Sequence, residues 1–118
     1  MENKTAIELV TQEFNEMREK HGHTLEGDLI KWDRYDLKDI GLACVTHKVK
    51  FPPKYETEAA KKILKKTYLQ KLAHAGAFIL AEMEAEMERL KLEAEAKREA
   101  LRKKQEEIER ELNGTSNS

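Results

Sequence analysis

The sequence predicts an all-α protein: a small helical bundle with a long, charged C-terminal helix, oligomeric in its working form. Three observations carry this. Only 5 Gly and 2 Pro stand among 118 residues, so the chain has few places to turn. Charged residues make up 38% of the chain and hydrophobic ones 39%, a balance that suits helices with one wet face. From Thr57 to Gly114 the text contains no proline, enough for a helix of about 55 residues, roughly 80 Å at 1.5 Å per residue. Residues 1–82 are expected as the helical core domain, 83–113 as an extended charged or coiled-coil helix, and 114–118, GTSNS, as a disordered tail.

The first helix opens on a capping box, Thr5-Ala6-Ile7-Glu8, which supplies a hydroxyl and a carboxylate for orphan backbone N–H groups. Ile7, Val10, Phe14 and Met17 then recur at helical spacing. The helix is expected to stop near Lys20, because Gly22 follows. Residues 21–35 read as a loop with a short turn at Leu29–Trp32, and a connection that long in a compact domain points to function. Asp36 is the expected N-cap of a second helix, Leu37 to Lys50, whose apolar residues surround it and place it centrally. Phe51-Pro52-Pro53 ends that helix, since proline cannot donate to the ladder. The third helix is expected from Thr57. The small residues of Ala73–Ala81 suit a close helix contact, assigned here with the Leu80–Leu90 seam to the oligomer. Leu80, Met87, Ala94, Leu101 and Ile108 fall every seven residues, while the companion row reads Met83, Leu90, Lys97, Lys104.

Charge is uneven behind a formal net of −1. Acids dominate residues 1–39 and 75–118, whereas residues 40–74 hold Glu56 and Glu58 against Lys48, Lys50, Lys54, Lys61, Lys62, Lys65, Lys66 and Lys71. That middle third reads either as solvated lysines or as an anion-binding surface. Lys54, Lys61, Lys62 and His47 are the candidate phosphate ligands, with the N-terminus of the third helix assisting. Duplex nucleic acid is disfavoured, because no recognition motif is visible and the flanks are acidic. Cys44 has no internal partner and reads as a buried thiol in a reducing compartment. The longest apolar stretch, Ala75–Ala81, is far short of a bilayer span and no secretory leader opens the chain. A cytoplasmic protein without a membrane partner is therefore expected.

No P-loop, GxGxxG, CxxC or HExxH occurs. Three constellations remain. Thr24, Glu26 and Asp28 form a loop site; with His21 and His23 they offer a transition-metal reading, although the i,i+2 histidine spacing is not that of a structural zinc site. His74 reads as a core or interface histidine. Glu13 and Glu16, then Asp36 and Asp39, are i,i+3 carboxylate pairs on successive helices, a donor set suited to Mg²⁺. Glu13 lies at the edge of the apolar stripe and should face a neighbouring helix; surface charge for Glu16 and an N-cap for Asp36 are the structural alternatives.

The carboxylate pairs resemble the ExxE…ExxD signature of MazG-like all-α nucleoside triphosphate pyrophosphohydrolases. That resemblance implies a dimer and a Mg²⁺ site at Glu13, Glu16, Asp36 and Asp39, with Asp36 departing from the family's Glu. A broader stretch is similar to a group of small helical phage and prophage proteins. Thr24, Glu26 and Asp28 match that group's Gly-x-Thr-x-Glu-x-Asp loop. Gly41, Leu42 and Ala43 match part of a Gly-Glu-Leu-Ala helix, without its acidic residue. Glu82, Glu88, Arg89 and Leu90 match the end of a late helix. The group implies a helical fold and host cytoplasm, and no particular reaction.

Three functions follow as expectations. The first is a phage-type, non-catalytic, oligomeric accessory protein that binds a nucleotide, another phosphate ligand or a host protein, with no cofactor. The second is a Mg²⁺-dependent nucleotide pyrophosphohydrolase. The third is a coiled-coil structural adaptor. The incomplete ExxD and the long charged helix rank the binder first.

Overall fold

A computed structural model of the protein describes residues 4–20 and 23–116. Among them five helices follow one another: α1 (Ala6–Lys20), α2 (Leu25–Lys31), α3 (Asp36–Val45), α4 (Thr57–Leu64) and α5 (Tyr68–Ser116). No strand occurs among the described residues, so the protein is all-α. The chain forms two compact units, Met1–Glu86 and Met87–Ser118.

The first unit contains the core. Met17, Trp32, Leu37, Ile40, Cys44, Ile63, Ala77, Phe78, Ala81 and Ala85 pack together, with Phe14, Leu25, Leu29, Phe51 and Tyr55 against them. Every helix of that unit therefore contributes. The central place predicted for α3 holds: Leu37 and Ile40 are fully buried. The aromatic rings gather where the proline turn returns. Phe51 stacks on Tyr55 with centroids 5.2 Å apart, and Tyr55 meets Phe78 edge-on at 6.0 Å. Burial pushes the Tyr55 phenol well above its ordinary range, and pushes the Cys44 thiol up to about 11 against the opposing charge of Lys71.

Two glycines set the helix spacing. A Cβ on Gly41 would stand 2.9 Å from the carbonyl oxygen of Ala75 and 3.2 Å from Cβ of Phe78. A Cβ on Gly76 would stand 2.8 Å from a Val10 methyl. α5 thus approaches the backbone of α3 directly at Gly41, and at Gly76 it receives the Val10 side chain of α1. The small residues Ala73, Ala75, Ala77 and Ala81 are consumed in the same way and are buried within one chain. This corrects the expectation that the Ala73–Ala81 face forms the oligomer contact: α1 and α3 already cover it.

Several boundaries also differ from the sequence reading. The stretch read as a loop contains α2, started by Thr24, whose hydroxyl accepts the backbone N–H of Gly27 at 3.0 Å. α3 ends at Val45 instead of Lys50, because Thr46 turns extended well before the prolines at 52 and 53. The helix expected from Thr57 breaks at Lys65–Thr67. There Thr67 and Gln70 form a reciprocal capping box: the Gln70 N–H donates to the Thr67 hydroxyl at 3.2 Å, and the Thr67 N–H donates to the Gln70 side-chain Oε1 at 3.1 Å. α5 continues through Gly114 to Ser116, so residues 114–116 are helical where a disordered tail was expected. The predicted box at Thr5 forms in part, the Glu8 N–H donating to the Thr5 hydroxyl at 3.2 Å.

Tyr35 precedes α3 with φ 79°, the left-handed region, while its side chain is 64% exposed. A non-glycine residue there costs about 1–2 kcal/mol, and this one gains little packing in return. Tyr35→Gly should therefore raise the unfolding free energy by about 1 kcal/mol, measured by urea denaturation. Gly41→Ala should lower it by roughly 1–3 kcal/mol, because the new methyl meets backbone that cannot rotate away. Gly114→Ala meets nothing within 4 Å and should leave the core's unfolding, followed by Trp32 fluorescence, unchanged.

Candidate functional site

The Thr24–Asp28 segment is built into the first unit as a polar joint. Thr24 caps α2, and the chain then places Asp28 one turn on, 1% exposed. An ionised carboxylate at that depth requires a charged partner. Arg18 of α1 provides it: Nη1 donates to Asp28 Oδ2 at 2.7 Å and to the His23 carbonyl at 2.6 Å, while Nη2 donates to Glu84 Oε1 at 2.9 Å. The Arg18 guanidinium also lies 5.0 Å from the centroid of the Phe14 ring. His23 Nδ1 stands 3.9 Å from Asp28 Oδ1, and the His23 N–H donates to Met17 O at 3.1 Å. One arginine thus joins α1, α2, α5 and the segment before α2.

Of the three expected loop-site residues, Thr24 and Asp28 are committed to a cap and an ion pair. Glu26 is exposed in the first turn of α2, where its charge complements the helix dipole. His21 lies outside the described residues, so its expected role with His23 falls outside them too.

The four carboxylates of the expected Mg²⁺ cage do not gather within one chain. Glu13 does face a neighbouring helix, but the neighbour is α5: Oε2 lies 3.4 Å from His74 Nδ1. Glu16 accepts from the Gln12 side-chain amide at 3.5 Å. Asp36 stands one residue inside α3, where its carboxylate accepts the Asp33 N–H at 3.0 Å and closes the turn before the helix; Tyr35, not Asp36, is the N-cap. Asp39 lies 3.1 Å from Lys38 Nζ. Among the described residues no group of three or more His, Cys, Asp or Glu is placed to hold a metal ion. The residues of a single chain do not fit Mg²⁺, and no metal-dependent step is derived from them.

The candidate phosphate ligands separate. Lys54 Nζ donates to the Lys31 carbonyl at 3.1 Å and stands 4.0 Å from Asp33, fastening the proline turn to the C-terminus of α2. His47 is exposed in the turn after α3. Lys61 and Lys62 occupy the last turn of α4, with Lys61 3.7 Å from Glu58. They sit at the end of α4 that its dipole makes negative, so the expected help from a helix N-terminus is absent. Lys61, Lys62, Lys65 and Lys66 follow one another closely at the end of α4 and in the α4–α5 turn. All four are exposed, beside exposed Leu64, Tyr68 and Leu69. The sequence reading missed the apolar half of this surface, because an unbroken helix would have spread these residues around its circumference.

The Arg18 joint gives a direct test. Asp28→Ala should destabilise the protein by about 3 kcal/mol, since it leaves Arg18 partly buried against its lost partner. Glu84→Ala, at the half-exposed end of the same network, should cost about 1 kcal/mol or less. Chemical denaturation of the two variants measures both. No helix among the described residues is long and apolar enough to cross a membrane. No family model, curated protein or solved structure matches this chain, so the geometry of its side chains carries the functional reading.

Proposed function

We propose that this is a phage-type, non-catalytic, oligomeric accessory protein that captures a phosphate-bearing ligand, a nucleotide first, on the α4–α5 turn. One observation carries the reading: four exposed lysines, Lys61, Lys62, Lys65 and Lys66, lie in one short run of chain with an exposed aromatic residue, Tyr68, and exposed Leu64 and Leu69. Lysines supply the point charges that phosphate oxygens need, and an aromatic face stacks a base regardless of its identity. The residues with catalytic potential are by contrast spent on the fold, Asp28 on Arg18 and Asp36 on the Asp33 N–H. A second ligand class, an acidic surface of a host protein, is favoured by the same apolar residues, which suit the centre of a protein interface with a lysine rim.

The pyrophosphohydrolase reading requires Glu13, Glu16, Asp36 and Asp39 to be completed by a second chain, and its test is nucleotide hydrolysis in Mg²⁺. The adaptor reading draws on Met87–Ser118, whose apolar residues are exposed, and is compatible with the binder.

A thermal-shift series with nucleoside mono-, di- and triphosphates and with inorganic phosphate tests the proposal. A ligand at 100 times its Kd should stabilise the protein by about 2.7 kcal/mol. Lys62→Glu combined with Lys65→Glu should abolish the shift, Tyr68→Ala should reduce it for nucleotides but not for inorganic phosphate, and Lys103→Glu should leave it intact. Equal loss from Lys103→Glu, or no shift with any phosphate, overturns the phosphate reading and leaves the protein-binding one. Hydrolysis that disappears in Glu16→Gln supports the enzyme instead.

A further inference from the structure

We propose that Met87–Ser118 forms a parallel, in-register, two-stranded coiled coil with a second copy of this chain. The inference rests on the oligomeric reading above and names its contact and its direction. It starts from what the unit leaves uncovered. Met87, Leu90, Leu101 and Ile108 are each more than half exposed, and with Ala94 they recur along one face of the helix. Met87, Ala94, Leu101 and Ile108 keep a strict seven-residue period, and Leu90, Lys97 and Lys104 form the companion row three residues on. Arg102 donates to Glu99 at 3.1 Å and also to Glu106, on the face turned away from the seam. Its guanidinium holds Glu99 below the usual carboxylate range.

The charges beside the seam select both the occupant and its direction. One flank carries Glu93 and Glu107, the other Lys91 and Arg98. In a parallel pair, each flank residue faces the opposite flank of the partner five positions on. That sets Glu93 opposite Arg98 of the partner subunit, twice by symmetry. An antiparallel pair that keeps the same apolar rows sets Glu93 against Glu107 of the partner subunit, and Arg98 against its own copy. Like charges so placed repel. The charged flanks are therefore complementary in the parallel pair and opposed in this antiparallel one. The cost sits in the companion row, where Lys97 and Lys104 meet their copies; their long stems reach out to water while the seam stays closed. The coil is thereby kept weak and salt-sensitive, since screening eases the lysine repulsion.

Sedimentation equilibrium of the full chain at micromolar concentration provides the test, with Trp32 fluorescence checking that the core stays folded. Lys97→Leu with Lys104→Leu should tighten association by roughly tenfold or more. Leu101→Asp should abolish it. Glu93→Lys and Arg98→Glu should each weaken it by roughly tenfold, and the two together in one chain should restore it. Mild oxidation of Ala94→Cys should link two chains through that residue. The native Cys44 does not compete, because it is buried and its thiol is held up to about 11. Cross-linking of an Ala94→Cys chain to a Lys104→Cys chain, without Ala94→Cys self-linking, would show an antiparallel pair and overturn the proposal. A dimer indifferent to Leu101→Asp would overturn the coil while leaving the oligomeric reading intact. A monomer in the wild type and in the Lys97→Leu, Lys104→Leu chain alike would end both.

Discussion

Close packing at Gly41 and Gly76, with no room for a Cβ at either, is the constraint on which the first unit depends. A helix that meets its neighbours through alanine and glycine has little side-chain area to bury, so contact must be made by bringing backbones together. Gly41 lets α3 reach the Ala75 carbonyl, and Gly76 lets the Val10 side chain of α1 sit against α5. The volume is then filled from the other side by large residues of α2, α3 and the proline turn: Trp32, Leu37, Ile40 and Tyr55. Small faces on α5 and bulky faces opposite are two halves of one packing solution, and neither half is stable alone. Ala73, Ala75, Ala77 and Ala81 of α5 are consequently core residues although they read as a surface for association.

The second constraint is electrostatic and follows from the first. Because α1 and α5 lie close, the polar ends of their side chains meet near the core boundary, and the charge buried there must be neutralised. Arg18 does this with a planar fork that reaches Asp28 and Glu84 together. Asp28 is otherwise the one buried charge among the core residues of the described chain. A buried pair of this kind adds little net stability compared with apolar packing, but it penalises any arrangement in which α2 is not docked on α1. The pair therefore serves to fix the position of a seven-residue helix that is too short to hold itself.

This explains how the Gly-x-Thr-x-Glu-x-Asp stretch looked functional. A hydroxyl, two carboxylates and two histidines in a few residues have the composition of a ligand site and also of a capped helix with a buried ion pair. The partner that decides between them, Arg18, lies in a different helix and cannot be identified from local text. The all-α class and the central position of α3 were legible, because long-range periodicity and scarcity of breakers are properties of the whole chain. The break after α4 was legible in principle: Thr67-Tyr68-Leu69-Gln70 is a capping box, but it stands inside a helix-favouring run that masks it. The end of α3 was legible only weakly: the Thr46 hydroxyl accepts the Lys48 N–H at 3.2 Å, a local bond that competes with the helix ladder but that many threonines forgo. At the candidate surface the lysines were visible as charge, and their apolar neighbours became visible only once the break reoriented them.

The two units then show how one helical sequence changes its manner of burying apolar surface. In the first, α5 buries alanines against its own chain, and its charged residues pair across helices, as Glu84 does with Arg18 and Glu86 with Arg34 at 2.6 Å. In the second, Arg102 pairs within its own helix with Glu99 and Glu106, and Met87, Leu90, Leu101 and Ile108 are exposed. Intrahelical pairs contribute only a few tenths of a kcal/mol each. They support helical geometry without giving the exposed Met, Leu and Ile residues anything to pack against. A helix stabilised only by such pairs has no physical need for apolar residues at a seven-residue period, because charged or polar residues with equal helix propensity would serve. The proposed contact with a second chain would account for the periodic row, whereas the charges on the outer face are sufficient to explain the helix itself.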